Sequence, residues 1–296
     1  MEILTPSPEF EEPKVSTAPT AVWTAPERRR LSPGAEAFRL ISDQPYGDDL
    51  IRAGVLRTPN DKVVFKHVEK IGCTTLKTIL IELLYPGALK LPANLYHHDL
   101  RATTYDLTHN IAYDVLRVEV NDYILQNCLW VTFCRNPYDR LMSCYRDKVI
   151  GSRASEQEYS NFMRREILFH EMRSNRYCRE HFNDDGIPTF ETFVRFVCSS
   201  GAPSDMHWRP QLLMNAADLA PNMRLIRFET FSADLTRVFA EELGIELALE
   251  ERKNTSPSRP EDKILKYDAE LAELVFETYR TDFEFFGYDR NSWKSS

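Results

Sequence analysis

The chain of 296 residues is 43% hydrophobic and contains 17 Phe and 13 Tyr, which excludes global disorder and suffices for one large α/β domain or two small ones. The formal net charge of −8 argues against a general binder of nucleic acid or anionic membranes, although it leaves room for a local basic pocket that takes a small anion.

The N-terminal region differs from the rest of the chain. Residues 1–35 carry six prolines among Ser, Thr, Ala and Glu, so this stretch buries too little apolar surface to offset its ordering entropy. We therefore expect a flexible Pro-rich tail over residues 1–40 and a single domain over residues 45–296. The tail has no signal-peptide pattern, and no apolar run approaches the roughly 20 residues of a membrane span. The six cysteines show no CxxC spacing, which favours reduced structural thiols and a soluble, cytoplasmic protein.

The first strand-to-helix junction lies between residues 62 and 83. "KVVFKHV" at 62–68 is typical of a β-strand. The apolar residues that follow recur at the i, i+3, i+4, i+7 spacing of an amphipathic helix: Leu76, Ile79, Leu80 and Leu83.

Between this strand and this helix the chain offers groups that suit an anion. Lys70 supplies an ammonium, Gly72 allows close backbone approach, and Cys73, Thr74 and Thr75 begin the predicted helix. Helix N-termini at the carboxyl ends of parallel strands bind phosphate-like groups through free N–H donors. The junction therefore suggests a phosphate-type site, and an ordinary glycine turn with a surface lysine is the alternative.

A second junction repeats the arrangement. The near-continuous apolar run "CLWVTFC" at 128–134 is typical of a strand covered on both faces, and Arg135 follows it. Asn136 can cap the next helix and Pro137 suits its first position, which puts Ser143 two turns into that helix. An arginine provides a permanently charged fork for an oxyanion. Two such sites suggest a ligand with two separate phosphate-type groups, while a surface salt bridge is the alternative for Arg135.

The remaining elements continue the alternation. Residues 154–182 indicate a polar, Arg-rich helical region, 190–197 a short helix and 224–228 a strand. We expect Ser232 to cap the next helix and residues 268–289 to form a closing helix with an aromatic end. Strands alternating with helices predict an α/β fold with a central, mostly parallel sheet flanked by helices.

Four segments, in order, carry a family resemblance. "FKHVEKIGCTTLK" and "VTFCRNPYDRLMSCYRDKV" resemble the 5′-phosphosulfate-binding and 3′-phosphate-binding segments of sulfotransferases that use 3′-phosphoadenosine 5′-phosphosulfate (PAPS). "SDMHWRPQ", followed by "RLIRFETF", and the terminal "YRTDFEFFGYD" are similar to segments of the carbohydrate sulfotransferases of the chondroitin and HNK-1 type, sulfotransferase family 2. The resemblance implies a P-loop-like nucleotide-binding fold.

The resemblance also implies roles for individual residues. Lys70 would stabilise the charge that develops on the oxygen between sulfur and the departing phosphate, and the reaction would need no metal. Arg259, in a loop before the last helix, is a secondary candidate for closing over the nucleotide. The implied donor-binding residues are Lys70, Gly72, Cys73, Thr74 and Thr75 for the 5′-phosphosulfate, and Arg135 and Ser143 for the 3′-phosphate.

A general base must remove the proton of the acceptor. By resemblance it is a His or Glu beside the sulfate loop, and His97 and His98 in "NLYHHDL" fit that position, with His98 slightly favoured. His207 also resembles a residue of the group and could serve packing or acceptor binding. Adjacent histidines in a strand point to opposite faces and make poor metal co-ligands, so we expect no metal site.

The chain departs from the family pattern at three positions: Glu69 replaces a common Pro, Leu76 a frequent Trp and Asn136 a frequent Asp. Glu69 matters most, because its carboxylate could pair with Lys70 and draw it from the ligand. The expected function is transfer of a sulfuryl group from PAPS to a hydroxyl or amine of a carbohydrate or small natural product. A non-catalytic nucleotide-binding protein of the same fold and a P-loop-type kinase are the alternatives, although the kinase lacks a lysine after the glycine.

Overall fold

The computed structural model describes residues 54–60, 62–90, 108, 111–118, 120, 122–151, 157–201, 205–215, 222–247, 249 and 265–295. The expected tail and the site candidates His97, His98 and Arg259 lie outside these residues. Among the described helices, none is long and apolar enough to cross a membrane.

A four-stranded sheet forms the centre of the fold. Its strands are β1 (Val55–Arg57), β2 (Val63–Lys66), β3 (Leu129–Cys134) and β4 (Met223–Arg227), hydrogen-bonded in the order β1-β2-β3-β4. β2, β3 and β4 run parallel, and β1 pairs antiparallel with β2. This confirms the mostly parallel sheet, to which β1 adds a strand that the sequence analysis missed.

Helices cover the sheet and extend beyond its carboxyl edge. π-helical turns extend several of them, including Tyr145–Ile150 after the helix Pro137–Cys144. The helices are α1 (Cys73–Leu84), α2 (Asp122–Asn127), α3 (Pro137–Cys144), α4 (Gln157–Arg173), α5 (Phe190–Phe196), α6 (Leu212–Asn215), α7 (Phe231–Val238), α8 (Ala269–Thr278) and α9 (Arg280–Phe286).

The starts of α1 and α3 follow from local chemistry. The Asn136 side chain accepts a hydrogen bond from the backbone N–H of Tyr138 at 3.0 Å, and Pro137 occupies the first turn of α3, which confirms both predictions. On α1 the stripe that begins at Leu76 faces the core, because Leu76 and Leu80 are fully buried. The amphipathic pattern therefore located α1 and its buried face.

Three predicted boundaries are wrong. The helix in 154–182 ends at Arg173 and is followed by turns. Ser232 is not a cap, because α7 begins one residue earlier, where the buried ring of Phe231 packs against Phe133 with centroids 5.7 Å apart. The closing helix is broken at Tyr279, whose buried hydroxyl donates to the carbonyl of Trp208 at 2.5 Å. In the last two cases, tertiary packing overrides the local pattern.

The core brings three strand ends to one edge. On one face of the sheet, α1 and α7 pack over a row of stacked rings, with Phe65 centred 6.2 Å from Phe133 and 5.4 Å from Phe239. A second core joins α3, α4, α5, α8 and α9. Because β2, β3 and β4 are parallel, their carboxyl ends meet at the edge where this helical layer begins.

A buried arginine joins this edge to a distant segment. The Arg140 residue on α3 is 2% exposed. Its Nε donates to the carbonyl of Glu69 at 3.2 Å, while Nη1 and Nη2 donate to the carbonyls of Arg209 at 2.7 Å and Met206 at 3.2 Å. The guanidinium thereby fixes the loop after β2 against the segment that contains His207.

We expect Arg140→Met to lower the free energy of unfolding by about 3 kcal/mol, because it leaves three carbonyl oxygens without their charged donor. Urea denaturation measures the loss. Arg237→Met is the control, since Arg237 is a largely exposed arginine that pairs with its helical neighbour Asp234 and with no other carboxylate of the described residues. Its loss of stability is expected to stay within about 0.5 kcal/mol. Equal midpoints for the two variants would contradict this role of Arg140.

Candidate functional site

The loop after β2, residues 67–72, here called the anion loop, leads directly into α1. The first backbone bond of α1 runs from Leu76 N–H to the carbonyl of Gly72 at 3.1 Å. The N–H groups of Cys73, Thr74 and Thr75 therefore precede the helical ladder. The first turn of α1 contains no acidic residue, so the positive end of the helix dipole is available to an anion.

The backbone of the anion loop is strained at Lys70. Both Lys70, with φ of 71°, and Gly72, with φ of 67°, adopt the left-handed conformation. For a non-glycine residue this conformation costs about 1–2 kcal/mol. The carbonyl of Lys70 accepts a hydrogen bond from Nη1 of Arg135 at 3.1 Å, which holds the turn in place. The two strand-to-helix junctions singled out in the sequence are thus in direct contact.

The Lys70 ammonium faces a carboxylate that the sequence analysis did not single out. Its Nζ forms an ion pair with Oδ2 of Asp147, in the π-helical turn after α3, and both side chains are nearly buried. Lys148 Nζ lies 3.9 Å from the same oxygen. A carboxylate does pair with Lys70, but it is Asp147 and not the neighbouring Glu69.

Glu69 points into the interior instead. Its Oε1 lies 3.3 Å from Nε2 of His67, and its Oε2 accepts a hydrogen bond from the thiol of Cys73 at 3.4 Å. Burial opposes its ionisation, yet the His67 hydrogen bond and nearby positive charges hold the pKa of Glu69 well below its usual range. Glu69 is therefore an internal anion that braces both ends of the anion loop.

Two cysteines at this edge of the sheet have thiols that stay protonated near neutral pH. Burial raises the pKa of the Cys73 thiol to about 11, and the charge of Glu69 adds to this effect. Burial also raises the pKa of Cys144, on α3, to about 11. Since the thiolate is the nucleophilic form, neither side chain is a nucleophile near neutral pH. Cys73 can contribute to anion binding through its backbone N–H alone.

Arg135 is held rigidly at the end of β3. Its backbone N–H donates to Oε1 of Gln211 at 2.8 Å, and its carbonyl accepts from Nε2 of Gln211 at 2.9 Å. The guanidinium lies 4.2 Å above the ring of Phe228. Its Nε is buried and has no hydrogen-bond partner in the described part of the chain. Arg135 therefore presents a preorganised cation with an unused donor.

The other candidates divide into two groups. Ser143 lies half-buried on α3 where the sequence analysis expected it, and no contact among the described residues joins its hydroxyl to Lys70 or Arg135. His97, His98 and Arg259 lie outside the described residues, so their roles stay predictions.

Sequence reasoning missed Asp147, Arg140 and Gln211, whose roles depend on contacts across the fold. It weighed His207 without assigning its role. In the structure, Nδ1 of His207 lies 2.7 Å from Oδ1 of Asp205. The signal for this pair was present in "SDMHWRPQ", where a carboxylate stands two residues before the histidine.

We expect Gly72→Ala to lower the free energy of unfolding by about 2–3 kcal/mol. Part of this is the left-handed backbone, and part is a clash, since an added Cβ would lie 2.8 Å from Cε2 of buried Phe231. Gly244→Ala is the matched control, because Gly244 has φ of 66° and open space around its Cα. Its loss should be about 1 kcal/mol, measured by urea denaturation. Equal losses would show that the Phe231 contact is unimportant.

Comparison with known families identifies one family whose sequence model matches most of the chain. Residues 54–289 match the sequence model of Sulfotransfer_2, described as "Sulfotransferase family", which covers the sheet, the anion loop and Arg135. No solved structure gives a significant match to the chain. The match spans well over half of the sequence, and the α/β architecture is that of the sulfotransferase fold. The chain therefore belongs to sulfotransferase family 2.

Proposed function

We propose that this protein transfers a sulfuryl group from PAPS to a hydroxyl or amine of a carbohydrate or small natural-product acceptor and releases 3′-phosphoadenosine 5′-phosphate (PAP). One observation carries the proposal: the two junctions predicted to bind anions are joined by the hydrogen bond from Arg135 to the carbonyl of Lys70. PAPS carries two separate anionic ends, which suits two adjacent sites. Membership of the family supports sulfuryl transfer in general.

In this proposal the 5′-phosphosulfate binds at the anion loop. The N–H groups of Cys73, Thr74 and Thr75 and the ammonium of Lys70 surround it, and Gly72 allows the close approach. Lys70 neutralises charge on the bridging oxygen as the bond to sulfur breaks. A donor fixed where charge develops is worth more than one recruited from solvent, because it needs no reorganisation during the reaction.

The 3′-phosphate would bind to Arg135 and Ser143, and Arg259 remains a further candidate. The buried Nε of Arg135 has no hydrogen-bond partner among the described residues, which supports this assignment, because a buried donor normally has an acceptor. His97 and His98 lie outside the described residues and stay candidates predicted from the sequence for the general base. Among acceptors, the net charge of −8 disfavours long polyanionic glycans because like charges repel, so neutral saccharides and small alcohols or amines fit better.

The direct test is to incubate the protein with PAPS and a panel of neutral saccharides, alcohols, amines and phenols, and to measure the release of PAP. Thermal shift with PAP is run in parallel. Release of PAP that depends on an acceptor supports the proposal. A thermal shift with PAP but no turnover on any acceptor would favour a non-catalytic nucleotide-binding protein. The absence of both PAP binding and PAP release would refute the use of PAPS as the donor.

We expect Lys70→Ala to lower kcat by about 10²–10³-fold while changing acceptor KM little, because the ammonium acts on charge that develops in the transition state. Steady-state kinetics with saturating PAPS give both constants. Lys62→Ala is the control, since Lys62 is an exposed lysine at the opposite end of β2. An unchanged kcat in Lys70→Ala would rule out this role.

We expect Asp147→Asn to bind PAP more tightly, by about 10-fold, which corresponds to ~1.4 kcal/mol. The variant removes the carboxylate that pairs with Lys70 and so ends its competition with the anionic ligand. Isothermal titration calorimetry with PAP measures the change. Asp184→Asn makes the same charge change at a fully exposed loop position and should leave the affinity unchanged. Weaker binding by Asp147→Asn would show that Asp147 supports the site.

A further inference from the structure

A carboxylate and a tyrosine hold the ring of His207 in one orientation. Asp205 Oδ1 lies 2.7 Å from Nδ1 of His207 and accepts the backbone N–H of the same residue at 2.8 Å. The hydroxyl of Tyr159, on α4, donates to Oδ2 of Asp205. This three-part arrangement resembles the base and orienting carboxylate of known proton-transfer sites.

The protonation pattern of the pair follows from these contacts. Burial would raise the pKa of Asp205, but hydrogen bonds from His207 and Tyr159 hold it below its usual range. An ionised Asp205 accepts hydrogen bonds only, so Nδ1 of His207 carries the proton. In the neutral ring the lone pair then lies on Nε2, which makes no hydrogen bond in the described part of the chain.

The segment that carries His207 is fixed beside the anion loop. Arg140 donates to the carbonyl of Glu69 in that loop. It also donates to the carbonyls of Met206 and Arg209, which lie on either side of His207 in the sequence. The thiol of Cys144 donates to the carbonyl of His207 at 2.8 Å. The backbone that carries His207 is therefore fixed by the same hydrogen bonds that hold the anion loop.

Charged and polar side chains lie around the ring of His207. Asp205 contacts the ring, and Glu69 interacts with His207 electrostatically from the anion loop. Tyr159 presents its hydroxyl 3.5 Å from Nδ1, and Lys148 lies 5.2 Å from the Tyr159 ring, beyond it.

The other described histidines lack this combination. His67 is buried and packs so closely against Gly54 that a Cβ atom at position 54 would clash with the imidazole ring. His170 is hydrogen-bonded to Arg176 and Ser199 on the outer side of α4. His181 forms a similar pair with Glu171, at 2.8 Å, but no contact links it to the anion loop.

We propose that His207 is the general base of the sulfuryl transfer, with Asp205 and Tyr159 as positioning residues. The inference rests on the proposed function and adds its proton acceptor. Nε2 of His207 forms an N–H bond as the O–H bond of the acceptor breaks, and the oxygen keeps the bonding pair. That oxygen forms a bond to sulfur while the bond between sulfur and the bridging phosphate oxygen breaks. The electron pair of the broken bond stays on the phosphate oxygen of the departing PAP. The proton then passes from His207 to solvent.

The central experiment compares His207→Asn with wild type, using PAPS and the panel acceptor that gives the most PAP. Asparagine keeps a donor near the Nδ1 position, so the bond to Asp205 can persist while Nε2 is lost. We expect kcat to fall about 10²–10⁴-fold, with PAP affinity by calorimetry unchanged. The acidic limb of the pH–rate profile should disappear, because that limb reports protonation of the base.

Two controls separate catalysis from folding. His181→Asn removes a histidine from the comparable carboxylate pair and should keep full turnover. A phenol that is already ionised at the assay pH needs no base, so His207→Asn should sulfate it within a few-fold of wild type. Asp205→Asn should lower kcat and displace the acidic limb of the pH profile at unchanged PAP affinity, as expected for a positioning residue.

Several outcomes would overturn the inference. Full turnover in His207→Asn, with the acidic limb of the pH–rate profile intact, excludes His207 as the base. If the acidic limb instead disappears only in His97→Ala or only in His98→Ala, the base is the residue replaced in that variant. If wild type binds PAP but turns over no panel acceptor, side-chain ¹⁵N NMR decides. A neutral ring protonated on Nδ1 near pH 8 supports the inference, and a proton on Nε2 at that pH contradicts it. Failure of wild type to bind PAP would instead refute the proposed function.

Discussion

Two buried charges of opposite sign fix the segment of residues 205–212, and the site depends on this segment. Arg140 donates to carbonyls at its beginning, while Asp282, on α9, accepts the backbone N–H groups of Gln211 at 2.7 Å and Leu212 at 2.9 Å. Each charge is satisfied by backbone groups, which avoids the cost of burying an unpaired ion. The guanidinium donates to backbone carbonyls and the carboxylate accepts from backbone N–H groups, so the two side chains together hold the segment at several points.

The fixed position of residues 205–212 affects both predicted anion sites. Gln211 uses its side chain to bond the N–H and the carbonyl of Arg135, and Arg135 in turn holds the carbonyl of Lys70. Arg140 reaches the carbonyl of Glu69 from the other side. The left-handed turn at Lys70 is thereby over-determined, which is the condition under which a strained residue persists at a functional site. Donors held in this way need little rearrangement when an anion binds.

The sequence was sufficient where the controlling interactions are local. The apolar run of β3, the stripe on α1 and the cap at Asn136 each depend on neighbours within a few residues, and all three were predicted correctly. The partners that shape the site lie far apart along the chain. Lys70 and Asp147 are 77 residues apart, and Arg140 lies 71 residues from Glu69. No spacing rule in one sequence identifies such pairs.

The concern over Glu69 shows how adjacency in sequence misleads. The side chains of Glu69 and Lys70 diverge at a turn in which Lys70 adopts a positive φ. The carboxylate of Glu69 consequently turns inward to His67 and Cys73, and the ammonium of Lys70 turns to Asp147. Glu69, which the sequence suggested would pair with Lys70, instead stabilises the anion loop that carries Lys70.

The pair of Lys70 and Asp147 also links the two halves of the proposed reaction. When a phosphosulfate draws Lys70 away, Asp147 still has the ammonium of Lys148 3.9 Å away, so its displacement does not leave an isolated buried carboxylate. Lys148 lies over the ring of Tyr159, and that hydroxyl bonds the carboxylate that orients His207. An unbroken series of contacts therefore joins Lys70, at the predicted sulfate site, to the carboxylate that orients His207.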